Sequence, residues 1–360
     1  MLKRSFCAAT LVLSLLLLPL PSWSAFRPDV RPGYGVTKLG WLSDYHPPLK
    51  GTNSDTPVFF LDSGKPGATA LLIGGTHPRE IAGFTAAAVA IENAVATEGR
   101  LIVIPALNAS GYGISDLSTT IPRQHAVQGR SGTRLLPYGD RRIAASDQVA
   151  DGKKFVHLSG YEIDDPAESR NINRNYPGKA DGTTAEQVAF AVMELVRGEE
   201  VHFSLDLHEA NTPGYYLDRR TGSIEQGSRL AYMLVSNPKP EAFEIAAESI
   251  LQFEADTTLP LKLEQSNPAF RGLSHLEIGN ASKCLSFLME TPNPGQDQWR
   301  EAPDVTGDVE YPLKHRVGVH LELFKQLCNA YGANSKQKLT LDNLPGLREL
   351  ENRDVSHFLN

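Results

Sequence analysis

The chain has 360 residues, 41% of them hydrophobic and 21% charged, with a formal net charge of −7. This is ordinary globular composition, long enough to bury a sizeable core. The acidic balance and the lack of a long basic block exclude nucleic-acid binding through a phosphate-neutralising surface.

The elements follow in chain order. Lys3 and Arg4, an apolar run over 7–20 and the small residues Ser22 and Ser24 read as a secretory signal peptide over residues 1–24. The apolar run is about 14 residues, short of the roughly 20 that span a bilayer. A periplasmic or secreted protein with no stable membrane insertion after signal removal is therefore expected. Residues 25–56 are rich in proline, glycine and aspartate and read as an N-terminal surface extension. Short apolar runs predict strands over 57–61, 68–73 and 101–105, and the alanine-rich stretch 81–96 predicts a mostly buried helix. Near-continuous apolar strands alternating with helices imply an α/β fold with a mixed, largely parallel central sheet flanked by helices.

Residues 108–182 show little periodicity, which in a compact domain marks a functional surface. Thr183 or Thr184 caps the next predicted helix, and 201–207 is a further strand running into His208 and Glu209. Helices are expected over 228–234, 240–255 and 313–331, and a strand within 281–290 ends in Glu290. A single catalytic domain over 57–334 and a polar tail over 335–360 complete the organisation. Leu344, Leu347 and Leu350 are the tail's docking candidates. Cys284 and Cys328 permit one disulfide but not a disulfide scaffold or a cysteine zinc knuckle.

Three apolar strands thus lead into His77 and Glu80, into His208 and Glu209, and into Glu290. Taken alone, His77 suits a loop histidine and Glu80 a first-turn acid favoured by the helix dipole. Parallel strands bring their carboxyl ends to one edge, however, and two imidazoles with one carboxylate form a common catalytic zinc set. His77, Glu80 and His208 are the candidate ligands of one Zn2+ ion, and Glu290 the candidate base and acid. Glu209, the rival carboxylate, should point to the opposite face. Asp206, on the same strand face as His208, suits ordering of its ring. Arginine matches a carboxylate with a planar fork, so Asn173 and Arg174 are candidates to hold a substrate carboxylate. Arg123, Arg130, Arg134, Arg141, Arg142 and Arg170 are all candidates to stabilise an oxyanion.

GTHPRE, NINRNYPG, SLDLHE and FLMETP, in this order, resemble the zinc carboxypeptidase superfamily, which includes the succinylglutamate desuccinylase/aspartoacylase group. The resemblance covers roughly residues 55–330. It implies a zinc-carboxypeptidase-like (phosphorylase/hydrolase-like) domain, with His77, Glu80 and His208 on zinc, Asn173 and Arg174 on the terminal carboxylate and Glu290 activating water. Arg142 is then the first choice for the oxyanion and Arg134 the next. HPRE, NRNYP and the short stretch after Glu290 lean towards carboxypeptidases, and Asp206-Leu207-His208 towards desuccinylases. One departure is the lack of any tyrosine from Glu254 to Glu290, where carboxypeptidases usually carry a mobile one; Arg271 is the candidate to close over the substrate instead. The implied reaction is hydrolysis of an amide bond beside a free carboxylate, in an envelope or extracellular peptide or in an N-acyl amino acid. A noncatalytic zinc- or peptide-binding protein is the alternative from another class. No residue specifies an oligomeric state.

Overall fold

A computed structural model describes residues 26–114, 120–217, 222–297 and 299–360; the expected signal peptide lies outside them. Eight strands form the central sheet: β1 (Lys38–Trp41), β2 (Pro57–Asp62), β3 (Thr69–Ile73), β4 (Arg100–Ile104), β5 (Phe203–Ala210), β6 (Met233–Ser236), β7 (Lys262–Gln265) and β8 (Leu285–Pro292). Their spatial order is β1-β2-β4-β3-β5-β8-β6-β7. The pairs β4–β3, β3–β5, β5–β8 and β6–β7 are parallel, and the other three are antiparallel.

Alternation assigns the strand residues to two faces. Ala70 and Leu72, Leu101 and Val103, Phe203, Leu205 and Leu207, and Phe287 and Met289 face one core. That core is covered by α1 (Ile81–Asn93), α3 (Pro240–Thr257) and α5 (Leu313–Ser335). Leu71, Ile73, Ile102 and Ile104 face the other core, beneath α2 (Thr184–Gly198) and Ile278 of α4 (Ser274–Asn280). With both faces covered, β3 and β4 read as continuous apolar runs, whereas β5 alternates, with Ser204, Asp206 and His208 on one face and Phe203, Leu205 and Leu207 on the other. Helix α1 is apolar all round for the same reason, and Asn93 is its only residue that is not buried. Thr183 is the N-cap of α2, with Glu186 completing a reciprocal capping box.

Four expectations change. Residues 228–234 form no helix, because Met233–Ser236 is held as a strand between β8 and β7. The predicted helix over 81–96 stops at Asn93, and Val95–Glu98 pairs instead with Thr340–Asp342. The stretch 108–182 contains a hairpin, Gln124–Gly129 with Gly132–Pro137. Residues before 57 supply β1 as well as surface. In the C-terminal segment Leu344, Leu347, Leu350 and Leu359 are all buried in the core beneath α5, and α6 (Leu347–Arg353) contributes two of them. Cys284 and Cys328 are both buried and free, so the permitted disulfide is not formed. No helix among the described residues is long and apolar enough to cross a membrane.

Arg134 is part of the structural frame, away from the chemistry its sequence position suggested. It is buried and donates to both carboxylate oxygens of Glu92 at 3.0 and 2.8 Å, to Asp29 Oδ2 at 3.0 Å and to the main-chain oxygen of Asn360 at 2.8 Å.

Candidate metal centre

The carboxyl ends of β3, β5 and β8 meet as their parallel pairing requires. His77 and Glu80 lie in the turn between β3 and α1, and Glu80 occupies the N-cap position without capping the helix. Its carboxylate turns to the two imidazoles instead. Oε1 lies 2.7 Å from His77 Nδ1 and Oε2 lies 2.9 Å from His208 Nδ1. The two Nδ1 atoms are 3.2 Å apart. All three residues are buried, and among the described residues they form the one His/Cys/Asp/Glu group suited to hold a metal ion.

The outer nitrogens are also engaged. His77 Nε2 is 3.0 Å from Asn171 Oδ1. His208 Nε2 lies 3.0 Å from Asp206 Oδ2, a close ionic contact without the alignment of a hydrogen bond. Asp206 is itself fixed by the hydroxyls of Thr76 at 2.8 Å and Ser274 at 2.6 Å. Two Nδ1 atoms and a carboxylate facing one another, with outer nitrogens backed by oxygen, are the donor set a zinc ion takes. The residues therefore fit the ion that their order in the sequence implies.

The charges follow from burial and these contacts. Burial pulls the His77 pKa down, more than Glu80 raises it. Burial also opposes charge on His208, but Asp206 and Glu80 outweigh it and hold the imidazole pKa well above its ordinary value. For Glu80 the desolvation that would raise its carboxyl is outweighed by the two histidines, so its pKa lies below the usual range.

Glu290 is the register partner of His208 on the neighbouring strand, on the same sheet face. Its Oε2 is buried without a hydrogen-bond partner. Burial, and then the negative charge of Glu80, push its pKa up to about 8. Glu209 faces the opposite core. It is ion-paired with the buried Arg316 of α5 and accepts from Ala82 N at 2.9 Å and Asn293 Nδ2 at 3.2 Å. It is thus a structural acid, as the alternation along β5 predicts.

A cavity of about 450 Å³, connected to His77 through Asn171 and Glu168, is lined by Arg141, Arg142, Arg174 and Arg271 with Tyr161 and Phe270. Arg174 belongs to this wall. Asn173 instead has its Oδ1 engaged at 2.7 Å by Ser274 N. Arg142, first choice for the oxyanion, is bound to Asp165 at 2.6 Å and to Glu168 at 3.0 Å. Arg141 donates to Glu168 at 3.0 Å and is the arginine whose charge reaches His77. Arg271 is held by Glu277 through contacts of 2.6 and 2.9 Å. Burial and then Arg141 lower the pKa of Arg174, whereas Glu168, Tyr161 and Glu290 raise it. Tyr161 stands edge-on to Phe270, with centroids 6.4 Å apart, where the stretch from Glu254 to Glu290 offers no tyrosine. Asn171 opens the NINRNYPG motif but was given no role there, and Glu168 and Tyr161 lie outside the motifs.

No protein-family model matches the sequence, and no curated protein matches it. Solved structures do. The tripeptide-bound cell shape determinant Csd4 of Helicobacter pylori has 15% identity and a TM-score of 0.45, over 77% of this chain and 53% of that one. A succinylglutamate desuccinylase from Silicibacter sp. TM1040 has 14% identity and a TM-score of 0.44, over 81% and 64%. A metallo-carboxypeptidase from Burkholderia cenocepacia has 11% identity and a TM-score of 0.45, over 78% and 61%. The chain thus spans between half and two thirds of these structures.

Proposed function

We propose that this chain is a zinc-dependent hydrolase of the carboxypeptidase type, cleaving the amide bond next to a free carboxylate in a peptide. The convergence of His77 Nδ1, His208 Nδ1 and the Glu80 carboxylate, beside a Glu290 oxygen with no other partner, carries this reading. His77, Glu80 and His208 would hold the ion, which when bound lowers the pKa of water and polarises a carbonyl. Burial and Glu80 raise the Glu290 pKa in the metal-free site and the charge of a bound ion would lower it again, so Glu290 Oε2 then takes the proton of the attacking water and returns it to the leaving nitrogen. Its partner-free oxygen suits this duty, since no resident hydrogen bond must break first. Arg174 receives the substrate carboxylate, and Arg141, whose charge acts on His77, supports the developing oxyanion. Arg142 and Arg271 complete the cavity wall.

A peptide is favoured over a small acyl amino acid because Arg142 also borders a second cavity. That space, of about 670 Å³, is lined by Arg79, Tyr138 and Arg300 and extends the room beyond the arginine-lined cavity, the two meeting at Arg142. Secretion belongs to the same proposal and rests on residues 1–24. It is tested by the N-terminal sequence of the protein recovered from the periplasm or medium, where a retained segment 1–24 would refute it.

The deciding experiment supplies zinc-loaded protein with N-acylated dipeptides and N-acyl amino acids. Release of the C-terminal residue is expected. Release of only the acyl acid from N-acyl amino acids would point to a deacylase, and no turnover of either series in a zinc-containing protein to a binding protein. Glu290→Gln should retain zinc and lose about 100-fold or more in kcat.

A further inference from the structure

Between the metal triad and the arginine-lined cavity lies a pair of buried side chains, Glu168 and Asn171. Asn171 Oδ1 faces His77 Nε2 at 3.0 Å and also accepts the main-chain N–H of Asn173 at 3.0 Å. Its Nδ2 donates to Glu168 Oε2 at 2.8 Å. A main-chain N–H can only donate, so this end of the amide is its oxygen, and His77 must offer it a proton from Nε2. That leaves the lone pair of His77 on Nδ1, the atom that faces Glu80 and His208.

Glu168 holds the other end of the amide. It also accepts from Arg141 and Arg142 at 3.0 Å each and lies 3.4 Å from Arg174 Nε. Burial would raise its carboxyl pKa, but Arg141, Asn171 and Arg174 outweigh this and hold it low. One ionised carboxylate thus meets three cavity arginines and, through a single amide, the proton-bearing nitrogen of His77.

We propose that Glu168 and Asn171 are positioning residues that select the tautomer and ring orientation in which His77 binds the metal. The pair also ties the carboxylate-recognising arginines to that ligand. The inference rests on the reading of His77 as a metal ligand.

The test uses the full chain, freed of metal, with zinc alone as probe. Zinc affinity is read by competition with a chromophoric chelator, and the thermal midpoint of the metal-free protein reports the fold. Asn171→Leu should weaken zinc binding by about 10- to 100-fold while the metal-free midpoint stays within a few degrees. Should Asn171→Leu not fold, the swapped pair decides. Asn171→Asp alone sets two carboxylates against each other, and adding Glu168→Gln restores a donor facing an acceptor with the original charge. The double variant should bind zinc at least about tenfold more tightly than Asn171→Asp, a coupling that independent sites do not show. Zinc binding unchanged by Asn171→Leu, or a double variant no better than Asn171→Asp, overturns the proposal while the zinc site stands. A wild-type chain with no zinc affinity overturns both.

Discussion

His208 meets opposite demands with and without metal. In the metal-free protein Asp206 and Glu80 overcome burial and keep the imidazole charged at neutral pH. The stability this pairing contributes is fully present below the ordinary histidine pKa and is lost as pH rises through the raised one. A metal ligand needs the neutral ring, so zinc loading at pH 7 should release at least one proton and zinc affinity should fall as pH falls. An indicator dye in weakly buffered solution measures the release; loading without it would refute the assignment of His208. At this scale the sequence was readable where the candidate ligands sit in contiguous motifs. His77 and Glu80 lie three residues apart at a strand end, and Asp206 and His208 share one strand face. Asn171 was not singled out, and Arg141 was only one of six candidate arginines, because what distinguishes them is contact with His77, 94 residues from Asn171, and with Glu168. Arg134 looked equivalent to Arg141 as a residue type, and only packing against Glu92 separates them.

Helix α1 and strand β5 are held together at Gly83. A Cβ there would stand 2.5 Å from the Leu207 oxygen, one residue before His208. Gly83 therefore lets the helix that begins after Glu80 lie directly on the strand that carries the other histidine. Gly83→Ala should destabilise the fold by about 1–3 kcal/mol, read as a lower thermal midpoint, and should weaken zinc binding as well. An unchanged midpoint would mean that the helix can move away freely. Strands β3 and β4 and helix α1 were legible because burial on both sides writes a continuous apolar run. The strand Met233–Ser236 and the hairpin over residues 124–137 were not, because short segments acquire their form from the partner they meet. The same holds for β1, whose charged and glycine-bearing sequence pairs only because β2 offers an edge.

At the scale of the whole molecule, Arg134 joins the N-terminal segment at Asp29, α1 at Glu92, the hairpin that carries it and the C-terminal segment at Asn360. Arg134→Ala strands the Glu92 carboxylate in the interior, and a loss of about 3–5 kcal/mol in denaturant unfolding is expected, with kcat of the folded fraction close to that of the wild type. A small stability loss would show that Glu92 finds another partner. The frame of three parallel strands meeting at one edge also bears on which changes of chain length the protein can tolerate. His208 and Glu290 lie side by side in register, while Glu209, one position on, turns to Arg316 beneath α5. A residue inserted in a surface connection changes only a loop. A residue inserted within β5 ahead of Asp206 would carry Asp206 and His208 to the far core and bring Leu207 and Glu209 round in their place. Lineages descended from such a chain are free to lengthen or trim the segments around the cavity, and so to change what it admits, but the strands beneath must keep their count.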